Sequence, residues 1–340
     1  MSTALGFYRE IAAALRRGPV AIATVTQTRG STPREVGAKL LLASDGQMAG
    51  TIGGGAGEAK VLRQAQTVLA TGHPQAVAID LSGTPQRDIQ GICGGTMQVW
   101  VARWQGEGAI AVVQQIVQTL EQGQAITLIT PLHPHDSPYV TEADSPTPTR
   151  LETPPLAFRE TLQPRPLLLI VGAGHCGIQL ARVAALAGFR IWVQDDRPEW
   201  ASPPNFPQAE RLFHEPMDEV VGAIAHHSQL YAALVTRGID YDRPALKALL
   251  TRQPPCLYLG MIGSHKRVTK ALQALRAEGI APEQIPALYA PIGLDIGALT
   301  PEEIAISICS ELIMVRRGGT GQPLSLQTRK AFFPSAENSP

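Results

Sequence analysis

The 340-residue chain has no excess charge of either sign, no long apolar run and few cysteines. With 29 Lys and Arg against 29 Asp and Glu, it lacks the electrostatic footprint of a protein that binds nucleic acid or an anionic membrane. No apolar run approaches the roughly 18 residues that a membrane span needs. The four cysteines show no Cys-x-x-Cys spacing, which argues against a disulfide framework and a zinc site. They are Cys93, Cys176, Cys256 and Cys309.

Two further signals are absent, a histidine cluster and a signal peptide. Six histidines, at positions 73, 133, 135, 214, 226 and 227, have no metal-ligand spacing on one helical face, so we interpret them as surface or capping residues. Near the N-terminus, Phe7, Ile11 and Leu15 are interspersed with arginines in the pattern of an amphipathic helix. We therefore expect a cytoplasmic protein.

The length allows two domains, each with its own core, and a change in composition separates them. Prolines recur and the periodicity ends over residues 131–166, which predicts a semi-rigid, proline-rich linker without a core, closed by a short strand. The pattern of apolar residues over 1–130 predicts an α+β domain. Residues 167–318 predict an α/β domain with a Rossmann-like, doubly wound parallel sheet, followed by a tail over residues 319–340.

Apolar patterns place the individual elements within these domains. In the first, strands are predicted at 20–28, 39–44, 76–81, 97–103 and 125–130, and helices at 57–70 and 109–121. In the second, strands are predicted at 167–171, 191–194, 230–236 and 256–259, and helices at 178–187, 243–250 and 304–315.

The run Gly50-Thr51-Ile52-Gly53-Gly54-Gly55 joins a β-like segment to a helix-like one. Glycine tolerates positive φ, and the helix that follows adds positive charge, so the amides of Gly53, Gly54 and Gly55 predict an anion site suited to a phosphate. Upstream, Arg34 and Lys39 lie in a turn from which either would pair with that phosphate. The alternatives are a tight corner without a ligand and a solvated loop.

A second glycine-rich turn follows the continuous apolar strand at 167–171. Gly172, Gly174 and Gly177 precede a predicted helix, and an acid, Asp195, ends the next strand about 20 residues further on. This context predicts a dinucleotide-type βαβ unit in which Asp195 accepts ribose hydroxyls.

Another loop, after the predicted strand at 256–259, carries Gly263, Ser264 and Lys266. Loops at the carboxyl edge of such a sheet bind ligands, so these hydroxyl and basic groups are candidate ligand contacts. An ordinary loop with solvated cations is the alternative.

Taken together, the motifs resemble the XdhC/CoxI family of xanthine dehydrogenase accessory proteins over nearly the whole chain. The N-terminal motifs are Gly30-Ser31-Thr32-Pro33-Arg34-Glu35, Gly37-Ala38-Lys39, Gly50 to Gly55 with Glu58, and Cys93-Gly94-Gly95. The C-terminal motifs are Gly172-Ala173-Gly174-His175, Asp195-Asp196-Arg197-Pro198, Gly260-Met261-Ile262-Gly263-Ser264 and Pro291-Ile292-Gly293-Leu294-Asp295.

The resemblance implies a chaperone of the molybdenum cofactor. Such a protein binds the cofactor as cargo, assists its sulfuration by a cysteine desulfurase, and inserts it into a xanthine-dehydrogenase-type molybdenum hydroxylase. The resemblance implies a homodimer as well. The motif residues it implies for cofactor binding include Glu35 and His175. Cys93, beside Gly94 and Gly95, is suited to metal ligation or to contact with a sulfur donor. The alternative is a buried, apolar cysteine.

Two other functions fit the predicted fold. The first is an NAD(P)-dependent oxidoreductase, although no Tyr-x-x-x-Lys pair or similar proton donor is evident near a nicotinamide site. The second is a regulatory protein that senses a nucleotide. Fold alone does not decide among these functions.

Overall fold

A computed structural model describes residues 3–81, 94–134, 136–143, 149–152, 156–280 and 288–326. The chain divides into two compact units, Met1–Arg165 and Pro166–Pro340. None of the helices in the described ranges is both long and apolar enough to cross a membrane.

The N-terminal unit is built on a five-stranded antiparallel sheet in the order β3-β2-β1-β5-β4. Its strands are β1 (Val20–Arg29), β2 (Lys39–Ala43), β3 (Met48–Gly50), β4 (Gln75–Asp80) and β5 (Thr96–Trp104). Three helices cover it: α1 (Ala4–Leu15), α2 (Gly55–Thr71) and α3 (Gly106–Glu121). Alternate β1 residues supply two cores, since Ala21 and Ala23 pack in the cluster with α2, and Val20 and Ile22 in the cluster with α1 and α3.

The segment predicted as a linker is not one, because it supplies most of a second antiparallel sheet. The strands β6 (Ile126–Pro131), β7 (Tyr139–Glu142), β8 (Arg150–Glu152) and β9 (Ala157–Leu162) pair in the order β7-β6-β9-β8. Pro131 ends β6 and Pro138 immediately precedes β7, positions where a strand tolerates proline. Phe158 is fully buried, and Leu162 joins the core formed with α1 and α3. The prediction that no core forms here is therefore wrong.

The C-terminal unit has the predicted Rossmann architecture. All of its described strand pairs are parallel, in the order β12-β11-β10-β13-β14-β15. The strands are β10 (Leu167–Val171), β11 (Arg190–Gln194), β12 (Ala209–Phe213), β13 (Leu230–Leu234), β14 (Tyr258–Met261) and β15 (Leu288–Tyr289). The helices are α4 (His175–Leu186), α5 (Met217–Ala223), α6 (Ile239–Leu250), α7 (His265–Ala277) and α8 (Pro301–Arg317).

Two helical layers cover this sheet. One core cluster joins α4 and α8 to the sheet, and the other joins α5, α6 and α7 to it. Strands buried on both faces are apolar throughout, and all five residues of β10 are buried, as its continuous apolar run predicts.

Candidate functional site

Three motifs that are distant in the sequence meet in the N-terminal unit, near the end of β1 and the start of β5. We call this place, formed by Gly30, Pro33, Gly53 and Gly95, the glycine corner. A β-carbon on Gly53 would lie 2.4 Å from Pro33 Cγ, and one on Gly95 would lie 2.3 Å from the Ser31 carbonyl oxygen. One on Gly30 would lie 3.3 Å from Gly95 Cα. At Gly53 a proline ring, and at Gly95 the main chain, thus approach as closely as glycine alone permits.

Other glycines at this corner present open backbone. Gly54, Gly55 and Gly94 have φ of +75°, +67° and +66°, and a β-carbon on any of them would meet no atom of the described residues within 4 Å. The left-handed conformation favours glycine at each position. Because no side chain of the described residues covers these faces, another molecule has room there to approach the main chain.

Glu58, in the first turn of α2, fills the inner side of the glycine turn. Its Oε2 accepts hydrogen bonds from the Thr51 hydroxyl at 2.5 Å, from the Ile52 amide at 3.0 Å and from the Gly54 amide at 3.2 Å. The Gly53 amide donates to Thr51 Oγ1 at 3.1 Å. Burial acts to raise the pKa of Glu58, but these hydrogen bonds prevail and hold it below its ordinary value.

These hydrogen bonds correct one expectation. The Gly53 and Gly54 amides are not unshielded donors for a phosphate, because each already donates within the protein. The sequence contained the signal for this arrangement, since acidic side chains in the first turn of a helix commonly bind amide groups at its start.

The predicted cations lie beside a cavity of about 370 Å³ next to the corner. Arg34, Glu35 and Lys39 line it together with Gly50, Thr51 and the start of α1. Lys39 Nζ lies 2.6 Å from Glu160 Oε1, and only 8% of the lysine side chain and 5% of the glutamate side chain are exposed. The charge of Lys39 is therefore compensated by a carboxylate of β9, so this ammonium is not the uncommitted phosphate partner that we expected.

In the C-terminal unit, Asp195 lies at the predicted carboxyl edge of the sheet but is fully engaged. Its Oδ2 accepts the Ala173 amide at 2.7 Å and Arg197 Nη2 at 2.9 Å. Its Oδ1 accepts the Arg197 amide at 3.1 Å and Arg197 Nε at 2.8 Å. Burial acts to raise the pKa of Asp195, but the bonds from Arg197 and Ala173 lower it to about 2.

These bonds contradict the role predicted for Asp195, because a carboxylate whose two oxygens each accept at least two hydrogen bonds has little capacity left for ribose hydroxyls. The space beside it is also closed. Arg237 bonds both oxygens of Asp196, at 2.9 and 2.8 Å, and its guanidinium lies 3.8 Å from the centre of the Tyr241 ring. The cavity that remains among these residues is about 20 Å³.

The glycines of this turn serve close packing. A β-carbon on Gly172 would lie 2.6 Å from the Val235 carbonyl oxygen, and one on Gly177 would lie 2.2 Å from the Gly172 carbonyl oxygen. Gly174 precedes α4, and a β-carbon built on it would meet no atom of the described residues within 4 Å. His175 begins α4, and its ring packs edge-on against Trp200.

In the second candidate loop of this unit, Gly263 and Ser264 have structural roles. Ser264 caps α7, since its side chain accepts the Arg267 amide at 3.4 Å, and Gly263 packs against the Arg267 side chain. Lys266 is exposed. Arg267 donates to Asp242, a fully buried carboxylate that also accepts the Thr236 hydroxyl at 2.6 Å. This network was not predicted, because the three residues come from separate elements and show no local pattern.

Cys93 lies outside the described residues. Within the described ranges, no group of three or more His, Cys, Asp and Glu side chains is placed to hold a metal ion. Burial raises the pKa of the thiols of Cys176, Cys256 and Cys309, which suits packing better than reactivity.

Comparison with known families matches both units. Residues 168–312 match the family described as the XdhC Rossmann domain, and residues 13–80 match the one described as the XdhC and CoxI family. A crystal structure of a Bacillus halodurans protein titled a xanthine dehydrogenase has a TM-score of 0.69 and 25% identity, with 96% of this chain and 99% of that chain covered.

Three curated relatives are similar over most of this chain. Uncharacterized protein YqeB of Escherichia coli is 30% identical over 304 residues; the match covers 89% of this chain but only 44% of that protein. A Bacillus subtilis protein named as a probable xanthine dehydrogenase component is 27% identical, with 87% and 93% covered. The molybdenum cofactor insertion chaperone PaoD of Escherichia coli is 25% identical, with 87% and 83% covered.

Proposed function

Since the chain belongs to the XdhC/CoxI family, we propose that it is an accessory protein of the molybdenum cofactor. In this proposal it binds the cofactor, assists its sulfuration and delivers it to a molybdenum hydroxylase of the xanthine dehydrogenase type. The similarity to a protein named as a molybdenum cofactor insertion chaperone supports the cargo. A cysteine desulfurase as sulfur donor and a homodimeric assembly complete the proposal.

The observation that carries the proposal is the convergence of motifs at the glycine corner. The cargo is a reduced pterin that carries a phosphate and a dithiolene-bound metal, so its site must bring polar main chain close to a crowded molecule. The open faces of Gly54, Gly55 and Gly94 provide such an approach. The start of α2 lies at Gly55, but the Glu58 carboxylate already accepts the Ile52 and Gly54 amides there, so the charge of a phosphate must be met by a side chain.

Arg34 and Cys93 complete the proposed site. The Arg34 side chain runs past the corner, with its Cγ 3.7 Å from the β-carbon position of Gly53. Its guanidinium supplies a cation for the phosphate. Cys93 immediately precedes Gly94 in the sequence, and its thiolate is the proposed contact with the metal or with the sulfur donor.

The oxidoreductase alternative is weaker on physical grounds. Nicotinamide dinucleotides need an acceptor for the ribose and room beside the glycine turn. The saturated Asp195 carboxylate and the Arg237–Asp196 pair leave little of either.

The test is retention of cofactor by the full chain. The protein is purified from a host that makes the cofactor, and bound molybdenum and oxidised-pterin fluorescence are measured per protein. We expect both in the wild type and a clear loss of molybdenum in Cys93→Ala, while the matched Cys176→Ala variant retains it. Folded wild-type protein without either signal would reject the cargo, and unchanged retention by Cys93→Ala would remove this thiol from the site.

A further inference from the structure

The cavity next to the glycine corner has features that the proposed function does not yet use. Its volume of about 370 Å³ lies in the range of small-molecule pockets, about 300–1,000 Å³. Apolar side chains, Phe7 and Leu162 among them, form part of its wall. Polar side chains line it as well, and three of them carry the argument here: Tyr8, Lys39 and Glu160.

The Lys39–Glu160 pair is poorly explained by stability alone. Its atoms are 2.6 Å apart and both side chains are more than nine-tenths buried. Taking two charges out of water is costly, and well-packed apolar residues commonly replace such a pair without loss of stability. At a cavity wall, the pair offers a ligand an ammonium hydrogen-bond donor directly beside a carboxylate acceptor.

The Tyr8 hydroxyl is the second, independent observation. Tyr8 is 1% exposed, and its hydroxyl has no hydrogen-bond partner among the described residues. Burial, followed by the nearby charge of Glu160, raises the pKa of Tyr8, so the hydroxyl keeps its proton and remains a donor. A buried hydroxyl without a partner is costly, and at a cavity wall it indicates an acceptor on a ligand.

The pattern of donors and acceptors identifies the ligand class. A flat ring with a carbonyl next to a ring N–H, a lactam, presents an acceptor and a donor side by side. We propose that the cavity binds the lactam edge of a planar heteroaromatic ring, with the carbonyl accepting from Tyr8 or Lys39 and the N–H donating to Glu160. This inference rests on the proposed function, because the pterin of the cofactor is such a ring.

Arg34 links the cavity to the glycine corner. It lines the cavity, and its Cγ lies 3.7 Å from the β-carbon position of Gly53. A molecule whose ring occupies the cavity therefore has its phosphate on the Arg34 side, where the open glycines lie. The two sites then hold two parts of one cargo.

The test uses free pterin, 2-amino-4-oxopteridine, followed by its fluorescence on titration with the full chain. The matched probe is 3-methylpterin, which lacks the lactam N–H. We expect the methylated probe to bind the wild type about tenfold more weakly or worse, because one buried hydrogen bond is lost. Tyr8→Phe should weaken pterin binding by about tenfold, without lowering the unfolding midpoint.

A double variant, Lys39→Met with Glu160→Leu, removes both charges together, so that neither is left buried alone, and it should abolish pterin binding in a folded protein. Lys270→Met, at an exposed position of α7, is the control and should bind as the wild type does. Equal binding of both probes, no pterin binding by the wild type, or undiminished binding by Tyr8→Phe and the double variant would overturn the inference. Cofactor retention by the wild type is measured separately, so none of these outcomes decides the proposed function. Pterin binding in the cavity without retained cofactor would instead reject the proposed function and keep the lactam site.

Discussion

Pro33 and Gly53 are in direct contact, with the proline ring over the face of the glycine where a side chain would stand. The β-carbon position of Gly53 lies 2.4 Å from Pro33 Cγ and 2.8 Å from Pro33 Cβ, well inside van der Waals distance. Gly53 also has φ of +128°. The contact packs the turn before β2 against the turn before α2, so the two turns form one corner.

Gly53→Ala should therefore destabilise the protein more than Gly54→Ala. Both positions have positive φ, which costs about 1–2 kcal/mol for alanine, but only Gly53 adds a collision with the proline ring. The measurement is the free energy of unfolding in urea. Pro33→Ala should relieve part of the Gly53→Ala loss in the double variant, and strictly additive losses would contradict the contact as described.

Gly54→Ala should also reduce cofactor retention, and Gly46→Ala is its control. Gly46 lies in the turn between β2 and β3 and has φ of +85°, close to the +75° of Gly54. A β-carbon on either glycine would meet no atom of the described residues within 4 Å. Each substitution should lower the free energy of unfolding by about 1–2 kcal/mol. Bound molybdenum should fall in Gly54→Ala alone, and an equal fall in both would attribute the effect to backbone strain.

Glu58→Gln should loosen the glycine turn and change its response to acid. The charged carboxylate stabilises the fold through its three hydrogen bonds, so its loss should cost about 1–2 kcal/mol at neutral pH. Because the folded pKa lies below the ordinary value of 4.5, this contribution is fully present above that value and is lost as the pH falls through the folded pKa. Urea unfolding across this range checks it. Glu107→Gln, an exposed change in the first turn of α3, should have little effect, and a constant gap between Glu58→Gln and the wild type down to low pH would refute the charge argument.

Asp195→Asn should lower stability without creating a dinucleotide site. Against the effect of burial, hydrogen bonds from Arg197 and Ala173 lower the pKa of Asp195 to about 2 from an ordinary value of 3.8, so the charged carboxylate contributes on the order of 1–2 kcal/mol once solvent screening is allowed for. This stability is present above pH 3.8 and is lost as the pH falls toward 2. Urea unfolding at neutral pH measures the loss. Saturable binding of NADH by the wild type, followed by fluorescence and abolished in Asp195→Asn, would show instead that the carboxylate serves a ribose.

Much of the fold was predictable where the signal is local. The apolar run of β10 was predicted at residues 167–171 and is found at Leu167–Val171, and the helix predicted at 57–70 spans Gly55–Thr71. The strands β7 and β8 were missed because they are short, at four and three residues, and because prolines lie close to both. The short strand expected to close the linker corresponds to β9.

The candidate site was predictable in its motifs but not in its partners. The glycine run, Arg34 and Lys39 were identified from residue type and spacing. That Glu160 neutralises Lys39 follows from packing between strands far apart in the sequence, and no local pattern reports it. The engagement of Asp195 differs, because an arginine only two residues later in the sequence occupies the position assigned to a ligand.

The Lys39–Glu160 pair has a consequence for how the N-terminal unit folds. One member stands at the start of β2 and the other lies within β9, so the early part of the unit depends on a strand made late in the chain. A fragment ending at residue 130 would lack both the carboxylate that pairs with Lys39 and Leu162 of β9, which packs in the core with α1 and α3. We therefore expect the smallest autonomously folding piece of this half of the protein to extend through β9, so that synthesis past residue 162 precedes its folding.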